Sequence, residues 1–175
     1  MQALENHIQL NEDELAFNQL YKQQVVKLCE FASSYLEDKE ASEEIVNDVF
    51  VKIWTGRHNL NKIRNMQVYL YVAVKNSCLN YLRSTKAKKG KEGLVGEAFY
   101  FHLSTDPAQL LISKELQYKI LIAVNELPAR CKLIFKMVKE DGLKCNEVAA
   151  ILEISNKTVF AQLAIALKKL ESVLG

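Results

Sequence analysis

Leu143-Lys-Cys-Asn-Glu-Val-Ala-Ala-Ile-Leu-Glu-Ile-Ser-Asn-Lys-Thr-Val-Phe-Ala-Gln-Leu-Ala-Ile-Ala-Leu-Lys-Lys-Leu170 reads as helix, tight turn, helix. Val148, Ala149, Ile151 and Leu152 give the first helix a buried face. Glu153, Ile154 and Ser155 break the pattern. Ser155 is a good N-cap, because its hydroxyl can accept a backbone N–H left without a partner at the start of the next helix. Val159, Leu163, Ala166, Leu167 and Leu170 then recur at helical spacing and form an inner face. Two short helices joined this tightly resemble a helix-turn-helix, whose second helix can lie in the DNA major groove. They also suit two packed helices of an ordinary bundle. The rest of the chain has to decide.

Working outward, breakers are scarce. Two prolines and six glycines punctuate 175 residues, and both prolines stand where a helix could begin. Long uninterrupted runs of Leu, Lys, Glu and Ala predict an all-α protein. A 49% hydrophobic content can fill a core without staples. The net charge of +2 is too small to argue for nucleic acid by itself, so any DNA contact needs locally concentrated charge. Cys29, Cys78, Cys131 and Cys145 are scattered, with no C-x-x-C pair, and read as free thiols. No nucleophile–base pair, phosphate-cradling glycine loop or metal-ligand cluster is evident, so neither an enzyme nor a cofactor is expected. The N-terminus lacks a signal-peptide pattern, and no apolar run approaches a membrane span. A cytoplasmic location is expected.

The periodicity predicts a helix over about 13–36, preceded by a poorly patterned start. A second helix is expected over 42–57, with Ser42 as cap and Ile45, Val46, Val49, Phe50 and Ile53 buried. A third is expected over 66–83. The basic, glycine-containing stretch from Ser84 to Gly93 then reads as the start of a linker. The aromatics Phe99, Tyr100 and Phe101 interrupt it. Asp106-Pro107 resembles an N-cap followed by a first-turn proline, starting a helix that reaches Asn125. Leu127-Pro128 restarts the chain into a short helix, and Gly142 suits its left-handed C′ position. The expected architecture is two small helical domains, 10–84 and 106–174, joined by a flexible linker, 85–105. The second contains the helix-turn-helix.

Four segments, in order, carry a family resemblance. Glu44-Ile-Val-Asn-Asp-Val-Phe-Val-Lys-Ile-Trp54 resembles the second-helix stretch of bacterial RNA polymerase sigma factors of the sigma-70 family, most of all the small extracytoplasmic-function (ECF) group. Tyr69-Leu-Tyr-Val-Ala-Val-Lys-Asn-Ser-Cys-Leu-Asn-Tyr-Leu-Arg83 resembles the promoter-contacting helix that follows. Leu127-Pro-Ala-Arg-Cys-Lys-Leu-Ile-Phe135 resembles the entry to the C-terminal domain, and the opening helix pair takes the helix-turn-helix position. The resemblance implies that the first domain (region 2) binds core RNA polymerase and melts the downstream promoter element. It implies that the second (region 4) binds the upstream element. Core polymerase, promoter DNA and an anti-sigma factor are the implied partners.

The residues agree with that division. Glu44, Asn47, Asp48, Val51 and Trp54 form one stripe suited to a protein interface, although Trp54 also fits a place in the core. Lys75 and Arg83 can neutralise phosphates, and Asn76 and Asn80 can bond exposed base edges. Tyr69 and Tyr71 offer stacking surfaces, with at least one expected in the core. On the last helix the candidates for DNA contact are Asn156, Lys157, Thr158, Gln162, Lys168 and Lys169. Phe160 is an apolar candidate that can pack on thymine methyl groups.

The C-terminal pair departs from the family pattern. Lys144 stands where a capping serine is usual, which leaves half a capping box before Glu147. Glu153 replaces a turn glycine and implies a left-handed residue. Phe160 and Ala161 replace polar residues, Ile165 an arginine, and Asn80 a common aspartate. Two classes stay open. One is a promoter-directing sigma factor. The other is a polymerase- or anti-sigma-binding module with weak intrinsic DNA reading. Exposed to water, Phe160 would forgo about 2 kcal/mol of burial, so some covering of its ring is expected.

Overall fold

The computed structural model describes residues 2–89 and 114–174. Chain contacts divide it into two units, Met1–Gly96 and Glu97–Gly175, and the described residues contain helices and no strand.

The first unit holds α1 (Gln2–Ser33), α2 (Lys39–Thr55), a 3-10 turn (Arg57–Lys62) and α3 (Met66–Lys89). The poorly patterned N-terminus is helical from Gln2, earlier than the apolar spacing implies. At its other end α1 stops at Ser33, where Ser33 Oγ donates to Cys29 O (2.9 Å) and Ser34 Oγ to Phe31 O (2.6 Å). Asp38, not Ser42, caps α2: its carboxylate accepts from Glu40 N (2.9 Å) and Ala41 N (3.2 Å). Asp38 has the extended backbone that a cap needs. Ser42 is a buried residue one turn in, and its hydroxyl donates back to Asp38 O (2.9 Å). α3 starts at an Asn65 side chain that accepts from Val68 N (3.1 Å). It runs on to Lys89, through the start of the expected linker.

Leu28, Phe31 and Ala32 of α1 meet the predicted α2 stripe and Leu70, Tyr71, Val74 and Cys78 of α3, all buried. Aromatic rings lock this core edge to face: Phe31 on Tyr71 at 4.8 Å and Tyr21 on Phe50 at 4.8 Å. Leu15, although it falls on the expected apolar spacing, points outward.

The second unit holds α4 (Lys114–Asn125), α5 (Ala129–Lys139), α6 (Cys145–Leu152) and α7 (Asn156–Leu174). The expected Asp106-Pro107 helix start and the Phe99–Phe101 aromatics lie outside the described residues. Val124, Leu127, Cys131 and Ala166 form one buried cluster, flanked by Ile120, Leu121, Phe135 and Leu170. The Cys131 thiol donates to Gln162 O on α7 (3.1 Å), a polar tie within that apolar layer. Gly142 has φ +75, so the glycine after α5 does supply the left-handed turn. Lys136, also buried, sets its ammonium 2.9 Å from Glu140 and 3.6 Å from Asp141 at the same turn.

Candidate functional site

α6 and α7 meet at a bend of 112° across a short break, within the range of a helix-turn-helix. Three local features make the bend. Glu153 adopts φ 54, ψ 46, the left-handed conformation expected where glycine is absent. This lets Ile154 N–H reach back to Ala149 O (3.0 Å) and close α6. Ser155 Oγ then accepts from Thr158 N (3.0 Å) and lies 2.8 Å from the Thr158 hydroxyl, so Ser155 is the cap of α7. At the head of α6, Glu147 accepts from Lys144 N (2.8 Å). The lysine ammonium has no lone pair to return the bond, so only half of a capping box exists.

α7 turns Val159, Leu163 and Ala166 inward. Lys157, Ala161, Ala164 and Lys168 lie on the opposite side and are exposed. Leu167, expected on the inner face, is 44% exposed. It follows Ala166 by one residue, and that step rotates it about 100° away from the core. Phe160 is 59% exposed, so its own unit covers the ring only in part. Asn156 is exposed at the helix start. Thr158 is half-buried and committed to the cap, and Gln162 is half-buried on the shoulder that faces α5. Lys169 pairs with Glu126 of α4 at 2.7 Å. Among the candidates, Asn156, Lys157, Phe160 and Lys168 are therefore the exposed ones.

On α3, Tyr69, Asn76, Asn80 and Arg83 are all exposed. Steps of seven, four and three residues put them along one side, over about 21 Å of helix. Arg83 Nη1 donates to Asn80 Oδ1 (3.2 Å), which holds the guanidinium along the line. Two candidates do not belong to it. Tyr71 is fully buried against Phe31, so its ring is not available to a base. Lys75 is only 5% exposed and turns toward the core side. The reason is angular: Lys75 precedes Asn76 by one residue, about 100° around the helix, and five residues separate it from Asn80. Tyr81 is 38% exposed as well, but it follows Asn80 by one residue and so lies about 100° away from the line.

On α2, Glu44, Asn47, Asp48 and Val51 are exposed, Val51 at 60%. Tyr21 of α1 donates to Asn47 Oδ1 (3.0 Å), fixing that amide at the edge of the stripe. Trp54 is half-buried instead of standing free. Phe17 packs on its indole with ring centroids 4.9 Å apart, and the Arg57 guanidinium lies over the ring, 4.4 Å from its centre. Arg57 Nη1 also donates to Trp54 O (3.0 Å). Neither Phe17 nor Arg57 carried a sequence signal, because both contacts are tertiary or lie past the helix end.

The four cysteines are free thiols. Burial pushes the Cys78 thiol up to about 12. Burial, helped by the charges of Glu43 and Glu30, pushes Cys29 up to about 11. These two therefore stay protonated at neutral pH, Cys78 in the core and Cys29 half-buried at its edge. The described residues hold no cluster of metal-ligating side chains. No single described helix is long and apolar enough to cross a membrane. The bent α6–α7 pair, which passes that test by composition, is the helix-turn-helix itself.

Comparisons with known proteins fall on these same segments. Residues 20–88 match the family model for Sigma-70 region 2, and residues 118–170 match that for Sigma-70, region 4. The chain is 23% identical over 154 residues to the ECF RNA polymerase sigma-E factor of Escherichia coli, covering 84% of this chain and 80% of that one. Its fold is similar to the sigma factor RpoE from Bartonella quintana, solved in complex with the anti-sigma factor NepR. That similarity has a TM-score of 0.59 at 20% identity and covers 91% of this chain and 96% of the other. It is also similar to CnrH, solved with the cytosolic domain of CnrY, with a TM-score of 0.50 at 19% identity over 92% and 88% of the two chains.

Proposed function

The chain belongs to the sigma-70 family of bacterial RNA polymerase sigma factors, in its extracytoplasmic-function group, and from that premise we propose how its surfaces divide the work of promoter-specific initiation. The domain 10–84 binds core RNA polymerase through Glu44, Asn47, Asp48 and Val51, with Trp54 bracing the stripe from beneath. The same domain captures unpaired downstream bases along Tyr69, Asn76, Asn80 and Arg83. The domain 106–174 meets the upstream element through the outer side of α7. The segment between the two domains spans the distance between the two elements. The chain acts by binding, in the cytoplasm, and the polymerase performs the chemistry. An anti-sigma factor is its proposed regulator, supported by the similarity to RpoE solved with NepR.

One observation carries this reading. The α3 line combines a flat ring, two amides and a guanidinium on one exposed side, while the similar groups Tyr71 and Lys75 are turned inward. Unpaired bases need those groups: faces to stack on, donors and acceptors for their edges, and a cation for the phosphate. Stacking contributes about 1–3 kcal/mol per base, enough to favour a melted strand without ATP. The test is reconstituted transcription. Core polymerase plus this chain should initiate at discrete sites on genomic DNA, and core polymerase alone should not. Stable binding to core polymerase with no site-specific initiation would replace this reading by the second one, an interaction module with weak DNA reading. The exposed apolar residues Phe160, Ile165 and Leu167 are what favour that alternative.

A further inference from the structure

We propose that α7 reads the upstream promoter element through thymine C5-methyl groups, with Phe160 and Ala161 as the specificity-determining residues. The inference rests on the upstream-element role proposed above and adds the chemistry of the readout. Phe160 and Ala161 lie in the second turn of α7, and the N-terminal turns of a recognition helix are the part that reaches base edges. Both are exposed, and Ala161 is turned directly away from the buried Val159 and Leu163. A methyl side chain there lets the backbone come close to the floor of the groove. Phe160 supplies a broad apolar surface beside it.

The occupant follows from what surrounds them. Exposed Lys157 and Lys168 lie on the outer side of α7, one turn before Ala161 and two turns after it. That pattern suits a duplex, with phosphates meeting cations at the two ends and an apolar contact between. α7 contains no arginine, so a guanine contact would have to come from Lys157, the exposed cation of its first turn, which is assigned here to phosphate. Gln162 is half-buried on the α5 shoulder, which leaves Asn156 as the exposed amide for adenine. In the major groove the thymine methyl is the only apolar group that a base presents. A recognition surface built from phenylalanine and alanine can discriminate bases only by finding it.

The experiment uses full-length protein bound to core polymerase. Duplexes with a randomised upstream block and a fixed downstream region are selected for polymerase binding. The winning block is then rebuilt with deoxyuridine in place of each thymine, which removes the methyl and leaves base pairing unchanged. The expected winner contains thymine, and loss of a contacted methyl weakens binding about fourfold. Phe160→Ala should lose that dependence at one position, and Phe160→Gln should shift the preference there toward adenine, which glutamine can bond bidentately. Both variants should keep wild-type helicity, since the ring is exposed. Equal binding of the thymine and deoxyuridine duplexes would overturn the proposal, as would full methyl dependence retained in Phe160→Ala. In either case selection of a defined block would leave the sigma-factor reading intact. A complex that selects no block and initiates nowhere would break that reading instead.

Discussion

α3 and α7 are both expected to meet DNA, and they present opposite chemistry. α3 shows an aromatic ring, two amides and a guanidinium in a line, with its apolar residues turned into a core shared with α1 and α2. α7 shows alanines and a phenylalanine between two lysines, over an inner face that is apolar as well. The first surface offers hydrogen bonds and stacking, which only unpaired bases can use in full. The second offers cations at its ends and apolar contact between them, which suits a closed duplex with methyl groups in its groove. On the proposed reading the two helices meet two states of DNA, and the difference comes from which side chains face outward.

The largest effect that tests this comparison lies within α3. Tyr71→Ala should lower stability by about 3–5 kcal/mol in urea denaturation, because it removes a fully buried ring from Phe31. Tyr69→Ala should stay within about 0.5 kcal/mol of the parent and lose open complex instead. The reverse pattern would mean that the inward and outward tyrosines have been exchanged.

Next comes the α2 stripe, proposed to bring α3 to DNA through core polymerase. Asp48→Lys should weaken association with core polymerase about tenfold, by placing like charge at a complementary interface, with helicity unchanged by circular dichroism. Undiminished association would remove the α2 stripe from the interface. Asn76→Ala should then lower permanganate reactivity of the melted promoter about three- to tenfold, the loss of one base-edge hydrogen bond, with closed binding little affected. A proportional loss of closed binding would place Asn76 on duplex DNA and erase the distinction between the two helices.

For α7 the expected effect is a slope. Lys157→Ala and Lys168→Ala should each flatten the salt dependence of promoter binding by about one unit of log K per log salt, since each removes about one phosphate contact. An unchanged slope would leave the apolar strip without flanking DNA contacts and favour a protein partner there. The smallest effects concern the frame that aims α7. Glu153→Gly relieves a left-handed glutamate, and Lys144→Ser completes the capping box. Each should raise stability by about 0.5–1 kcal/mol in thermal unfolding. Destabilisation by Glu153→Gly would show that the turn is held by the glutamate side chain itself.

Much of this molecule was legible before folding. Helical periodicity located α2, α3, α5, α6 and α7 and the whole buried stripe of α2, because burial recurs with the turn of the helix. Local chemistry located the turn: Ser155 as cap, Glu153 as the left-handed residue, Lys144 as a cap with no acceptor and Gly142 at φ +75 each depend on neighbours a few residues away. The ends of elements were less legible. Asp38 and Ser42 are both good caps, and the choice fell to the one left at the surface once Ser42 had packed inside.

The tertiary structure decided which of two similar residues faces out. Sequence spacing fixes the angle between Tyr69 and Tyr71, or between Lys75 and Asn76, but it leaves the zero of that angle open. Phe31 of α1 sets it by taking Tyr71 edge to face, and that contact turns Lys75 inward and sends Tyr69, Asn76, Asn80 and Arg83 to the surface together. Trp54 was settled the same way, half-covered by Phe17 and Arg57, partners that no local pattern pairs with it. Periodicity is a property of one helix, whereas the phase that converts it into an inside and an outside belongs to the helix packed against it.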